Sequence, residues 1–401
     1  MGRHSEDFLV RPLDTVWFRG PRPFVAGEDS SDPGLFPPTP WTFQGLVRTR
    51  LLLAALPGDL DGVDRNTIRE LVGPPDRLPE GWRLEGPFPA QLGQDGRLEP
   101  WFPVPGFLLR GDGREPVRAR RAPDLEILCD LAAGQTLLGC PSQGSGARGG
   151  WMSVANLWWA VTGEGSWDGG GHQPELPPFV KPEERPGVRI ERDSGTAMDH
   201  MLYAGTHHRF APRAGLLGRL TAVSDDRVPG DALSRGWGQT GRKGRLVELQ
   251  GSIAVDARWS MLRDGTHLRL DPAAVPDPLP AWVALLAPAL VVEAGTLPFA
   301  LAGGGARMRV LGRLAAAGPD VGGFDRVAGS GRPVRSTWAA GSSWLVEIHG
   351  GSAEERLAAA RELQGLGPHQ PGRYEAMGFG QRLVGLLDPE TFLPRSGGVD
   401  G

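Results

Sequence analysis

The sequence predicts an α+β fold in two modules, and three observations point that way. Its 401 residues exceed one ordinary domain, so two is the expected number. Strand–helix–hairpin units recur near both ends of the chain. Between them, apolar periodic segments return repeatedly among 60 glycines and 38 prolines, which predicts long loop and β-hairpin insertions rather than disorder throughout. A Gly/Pro-rich connection from Thr162 to Pro186 sets the expected boundary, with an N-terminal module over 1–180 and a C-terminal one over 181–401. The second carries a basic, glycine-rich insertion at about 225–250.

The best-signalled stretch runs from Leu13 to Ala55. Asp14, Val16 and Phe18 alternate with Leu13, Thr15 and Trp17, the period of two of a half-buried strand. Prolines in Arg19-Gly-Pro-Arg22-Pro-Phe24 end it. Thr39 as N-cap and Pro40 at the first helical position then open a helix, with Phe43, Leu46, Val47, Leu51 and Ala54 on one face and Pro57-Gly58 as its stop. Gln44 and Arg48 fall on the other side, and mid-helix Gly45 costs roughly 1 kcal/mol relative to Ala. The helix start, with Arg19 and Arg22 leading into it, makes an anion-binding corner; alternatively Gly45 lets the helix sit close on its sheet and the arginines are solvated.

Leu60 to Pro100 reads as turn-rich, with no long periodic segment. Phe107–Arg121 reads as a hairpin with a basic edge at Arg118, Arg120 and Arg121, and Trp151–Val161 as a short helix. Gly187–Phe210 reads as a hairpin turning at Asp193-Ser-Gly195, and Arg235–Arg245 as a flexible basic arm or an ordinary exposed loop. An apolar segment from Trp282 to Val292 is broken by Pro288, and a triple-glycine turn follows within Leu297–Val310. Ser352-Ala-Glu-Glu355 is a capping box opening a helix with Leu357, Ala360 and Leu363 on one face. Glycines close the chain within Tyr374–Gly385.

Composition narrows the function classes. The longest apolar runs fall far short of a membrane span and the amino terminus has no secretory core, so a cytoplasmic protein is expected. Cys129 and Cys140 belong to no paired metal motif, and no metal or cofactor is expected. Net charge is −4, yet Lys181 and Lys243 are the only lysines among 43 basic residues. Arginine suits bidentate phosphate contacts and base stacking; a GC-rich genome would produce the same bias. Gly236-x-x-x-x-Gly241 is followed by Arg242-Lys243-Gly244 and so is no phosphate loop. His200, Tyr203, His207 and His208 lie within nine positions, a grouping that leaves acid–base catalysis open.

The string Asp14-Thr-Val-Trp-Phe-Arg-Gly-Pro-Arg-Pro-Phe24, followed by Phe36-Pro-Pro-Thr-Pro-Trp-Thr-Phe-Gln-Gly45 and Arg48, resembles in order the amino-terminal signature of one RAMP family. That family is the subunit of type III-B CRISPR (Cmr) effector complexes that holds the 5′ handle of the guide RNA. Arg185 or Arg189 through Tyr203, Trp338–Glu347 and Tyr374–Gly385 are similar to further family segments; Gly305 stands where the family carries an acidic residue. The resemblance implies two ferredoxin-like (RRM-type) modules and a non-catalytic crRNA-binding subunit that caps the backbone filament. It also implies contacts with the large polymerase-like subunit and a backbone-forming RAMP subunit.

On that resemblance Arg19, Arg22 and Arg48 neutralise handle phosphates beside the first helix, where Thr39, Thr42 and Gln44 complete the corner. Gly303, Gly304, Gly378 and Gly380 permit backbone contact, with Arg307, Arg309 and Arg382 adding charge beside them. Phe24, Tyr203 and Phe379 offer stacking faces, and Arg189, Trp237, Arg242 and Lys243 extend the RNA contact. Two other functions stay open from sequence: a metal-independent repeat-processing endoribonuclease using the Tyr203/His207 neighbourhood, and a scaffold that needs no RNA.

Overall fold

The computed structural model describes residues 3–20, 31–56, 58, 60, 62–109, 116–121, 138–139, 150–168, 175–191, 193–223, 231–241, 244–293, 296–301, 304–325, 329–366 and 374–390. Among them the architecture is α+β, with mostly antiparallel sheets and few helices. The first strand is β1 (Arg3–Pro12), not Leu13–Phe18. The expected strand is reduced to a two-way bridge between Val16 and His208, and residues 15–18 are all buried rather than alternating.

The helix α1 (Pro40–Ala55) forms where its caps place it, the Thr39 side chain accepting from Thr42 N–H. A second helix, α2 (Arg65–Val72), is capped by Asp64, which accepts from the N–H groups of Asn66 and Thr67. Then come β2 (Arg83–Leu92) and β3 (Leu98–Pro103). These three elements occupy the stretch expected to be turns. Their signal is hidden because β2 is buried on both faces and carries Gly86, Pro87 and Pro89. A register shift beside Gly86 also flips its phase, so that Leu84 packs under α1 while Phe88 and Ala90 face the opposite way.

Next are β4 (Trp151–Ser153), α3 (Val154–Thr162), β5 (Val180–Ile190), β6 (Ala197–Phe210), β7 (Ala214–Val223), β8 (Arg235–Thr240) and β9 (Arg245–Gly251). Among the described residues the first sheet has the order β8-β9-β1-β7-β2-β3-β4. The boundary expected at 180/181 therefore cuts through this sheet, whose last strand ends at Gly251. The basic arm is likewise an ordered strand pair: a Cβ on Gly238 would meet Leu46 of α1 at 2.6 Å, and Arg50 donates to the Arg235 carbonyl at 2.9 Å. The hairpin β5–β6 forms as expected, with its turn at 193–195.

After α4 (Ala257–Arg263) the chain builds the second sheet from β10 (Leu279–Leu285), β11 (Arg307–Leu314), β14 (Ser343–His349) and β15 (Arg382–Leu386), in the order β11-β14-β10-β15. The two-stranded hairpin β12 (Val321–Asp325) and β13 (Ser330–Arg335) is inserted between β11 and β14. Helix α5 (Ala353–Leu363) starts on the full Ser352–Glu355 capping box. Three apolar layers result. Phe8, Val10 and Leu216 pack under Phe43 and Val47 of α1; Phe102, Leu217 and Trp259 meet Trp282 and Leu345 between the sheets; Val283 and Val346 pack under Leu357 and Leu363 of α5.

One side chain clasps the two sheets together. Gln381, fully buried just before β15, accepts from Gly86 N–H at 2.9 Å and donates to the carbonyls of Gly86 at 3.0 Å and Gly378 at 2.6 Å. Replacing it by leucine strands three buried backbone groups, each worth about 1–3 kcal/mol when unpaired. Gln381→Leu is expected to lower the unfolding free energy by about 3 kcal/mol or more in a urea titration. A loss below about 1 kcal/mol would show that those groups find other partners.

His208, on β6, is buried against Phe36, its ring centroid 4.9 Å away. Burial, then the neighbouring charge of His207, pushes its pKa down to about 4. Above pH 6.5 neither folded nor unfolded chain holds this proton. Between 6.5 and 4 the unfolded chain takes it first, so stability falls with falling pH, by up to about 3 kcal/mol. His267, also held down by burial, acts in the same sense. Stability measured from pH 7 to 4.5 is expected to drop, and His208→Gln to flatten that drop; an unchanged slope would remove His208 as a cause.

Candidate nucleic-acid interface

A groove of about 770 Å³ opens along the exposed flank of α1. Its floor is Thr42, Gly45 and Thr49; one wall is Ile68, Arg69 and Gly73 at the end of α2; the other is Phe18–Gly20 with the turn between β8 and β9. The β12–β13 hairpin supplies Phe324, Arg332 and Val334 on a third side. Among its described lining residues are four arginines, Arg19, Arg48, Arg69 and Arg332, and no aspartate or glutamate. That is a strong local bias in a chain of net charge −4.

Each arginine has a local reason for its place. Arg48 donates to the carbonyls of Val72 at 2.6 Å, Gly73 and Pro74 at 2.8 Å, so it caps the end of α2 while leaving its charge at the groove. Arg19 lies 3.9 Å from Asp32. Arg332 holds its guanidinium 5.3 Å over the Trp41 ring. Arg69 sits exposed in the last turn of α2.

Of the alternatives its spacing left open, the close-packing role for Gly45 is not the one the structure has. It is exposed, and a Cβ built there meets nothing within 4 Å, so it does not serve close packing of helix on sheet. It instead leaves the groove floor bare. The helix start contributes less than its caps implied: Pro40 has no N–H, and Thr39 already takes that of Thr42 at 3.3 Å. The positive potential comes from guanidinium groups.

The remaining expected site residues are placed as follows. Thr39, Thr42, Arg19 and Arg48 line the groove. Gln44 is 1% exposed and Phe379 is 1% exposed, the latter packed edge-on to Trp41. Arg382 is 5% exposed and turned inward to the Leu363 carbonyl at 2.6 Å and to Glu375. Gly378 lies under β2, where a Cβ would meet the Gly86 carbonyl at 2.7 Å, so it permits packing of the two sheets rather than a ligand's approach. Gly380 is also interior, its N–H donating to the Pro288 carbonyl.

Arg307 and Arg309 stand exposed on β11, away from the groove, Arg309 with Glu347 at 2.6 Å. Gly304 has open space around it. Trp237 is 55% exposed on β8, and Tyr203 stacks on Trp17 at 6.2 Å. Arg22, Phe24, Arg242, Lys243, Gly303, Cys129 and Cys140, with the side chains of Arg189 and His200, lie outside the described residues. His207 and His208 are buried, the former with Nδ1 3.0 Å from the Thr15 hydroxyl.

Sequence reading missed Arg69, Phe324 and Arg332. The first falls in the stretch taken for turns; the others lie in Val321-Gly-Gly-Phe-Asp325 and its partner strand, where an aromatic preceded by two glycines was the available sign. A second cleft of about 390 Å³, walled by Pro87, Pro103, Pro105 and alkyl groups of both sheets, has no charged residue in its described lining and nothing to hold a phosphate. No helix among the described residues is long and apolar enough to cross a membrane.

The chain is similar to one chain of the cryo-EM structure of the Type III-B Cmr-beta bound to cognate target RNA and AMPPnP, at TM-score 0.45 and 12% identity over 97% of this chain and 98% of that one. A second Cmr-beta structure, bound to cognate target RNA, gives 0.43 and 14% over 93% and 95%. A chain of the Csm1–Csm4 cassette in complex with AMPPNP gives 0.31 and 12% over 88% and 96%. No curated protein matches. The model of the family described as CRISPR-associated protein (Cas_Cmr3) matches residues 8–387, nearly the whole chain. The protein belongs to this family, the third Cmr subunit of type III-B CRISPR effector complexes, as its first helix and the loop before it led one to expect.

Proposed function

We propose that this subunit binds the repeat-derived 5′ handle of the crRNA, as a single strand, in the groove beside α1, and performs no chemistry on it. The observation that carries the reading is the lining of that groove: four arginines, no described carboxylate and a bare glycine on the helix floor. Phosphates need guanidinium groups and close backbone approach, and single-stranded RNA needs room for splayed bases. Burial of His207 and His208 supports a binding role over acid–base cleavage, since neither presents its ring to a 2′-hydroxyl at the surface. The subunit caps the foot of the backbone filament and docks the large polymerase-like subunit and a backbone-forming RAMP subunit, in the cytoplasm.

We further read both sheets as ferredoxin-like modules with insertions. Numbered along each module, β9-β1-β7-β2 and β15-β10-β14-β11 both run fourth, first, third, second, and every neighbouring pair is antiparallel. That support is one of strand order.

Binding of a fluorescein-labelled handle RNA to the purified complex tests the reading. Each phosphate contact contributes about −0.7 to the log–log salt slope for a single strand. The combined variant Arg19→Ala, Arg69→Ala, Arg332→Ala is therefore expected to flatten the slope by about 2. Arg48 is spared because its loss would unseat α2. An unaltered slope would sink the proposal.

Gly45→Leu separates fold from function. Leucine is the better helix former by about 0.7 kcal/mol, and its side chain has space. The variant is expected to be slightly more stable to urea yet to bind the handle RNA at least ten-fold more weakly. Undiminished binding would place the RNA elsewhere.

A further inference from the structure

Phe324 is 64% exposed on β12, and nothing in the fold requires an aromatic there. Its cross-strand partner is Gly331, so no opposing side chain covers the ring. A Cβ built on Gly331 meets nothing within 4 Å, and one built on Gly323 meets only the flexible stem of Arg332, at 3.6 Å. Val334, 57% exposed, stands on the same hairpin and lines the same groove. A two-stranded ribbon that keeps an uncovered phenylalanine loses the stabilisation that its burial would give. Here the ring faces a cavity whose other distinctive lining is arginine.

That combination has one chemistry that uses both parts at once. Guanidinium groups take phosphates, and an aromatic face takes a base, which any nucleotide supplies. Resting on the RNA-binding reading above, we propose that Phe324 is the stacking face of this groove and receives one unstacked base of the bound strand. Arg332, over the Trp41 ring, brings its charge from the same hairpin to the α1 side of the groove. The β12–β13 hairpin therefore reads the strand from the side opposite α1. It replaces Phe379 and Tyr203, the first of which is interior and the second engaged with Trp17.

The test uses the purified complex, a fluorescein-labelled single-stranded handle RNA, and a series of the same RNA with one abasic site at each position in turn. Phe324→Ala is expected to weaken binding about ten-fold or more, and Phe324→Trp to keep it. One abasic RNA is expected to lose a similar factor with the unaltered protein and nothing further with Phe324→Ala, as two halves of one contact must. Wild-type affinity in Phe324→Ala, or losses that add at every abasic position, would overturn the stacking role while leaving RNA binding intact. Failure of the unaltered protein to bind RNA in a salt-dependent way would instead overturn the functional reading and this inference with it. Phe324-dependent binding of a polyglutamate peptide without binding of RNA would do the same, in favour of an acidic protein partner.

Discussion

The clasp of Gln381 on Gly86 is the contact on which the site's geometry depends. The bulge at Gly86 breaks the pairing of β2 with β7 and would leave its backbone groups unpaired in the interior. One amide side chain from the other end of the sequence supplies both a donor and an acceptor. An apolar residue could fill the volume but not the hydrogen bonds, and water has no access to replace it. Because β15 follows directly, satisfying the bulge also fixes the second sheet against the first. The β12–β13 hairpin belongs to that second half, so its position over α1 follows from the same pairing.

This arrangement explains why the groove is basic without the whole surface being so. Its floor comes from residues near 45, one wall from residues near 70, the other from residues near 20 and 240, and its third side from residues near 325 and 332. The four groove arginines come from four separate stretches of the chain, and their charges converge only in the fold. Arg48 shows the economy of the design, as its three carbonyl contacts hold α2 in place while its charge stays at the rim.

Legibility in the sequence tracked the range of the interaction. Both well-predicted helices were announced by contacts within four residues, Thr39 with Thr42 and Ser352 with Glu355, and the N-terminal family signature sits on one of them. The strand β2 was invisible because glycine and proline suit a bulge as well as they suit a turn, and its phase changes midway. The expected roles of Arg382, Phe379 and Gly378 failed because a glycine-rich loop reads the same whether it cradles a phosphate or packs beneath a sheet. Which it does was decided by Gly86, almost three hundred positions away. Half of the groove's lining was legible, the half contributed by α1 and Arg19; the part across from it required the fold.

The uneven distribution of charge has a kinetic meaning as well. On a molecule negative overall, a recess lined by four arginines and no described carboxylate is a local patch of positive potential. A polyanion approaching that face meets attraction in the recess against a net negative molecule, which favours encounters aligned with it. Such guidance weakens as counterions shorten its reach to about 8 Å at physiological ionic strength. On the proposed function, such a recess would bias how a strand arrives as well as how firmly it is kept.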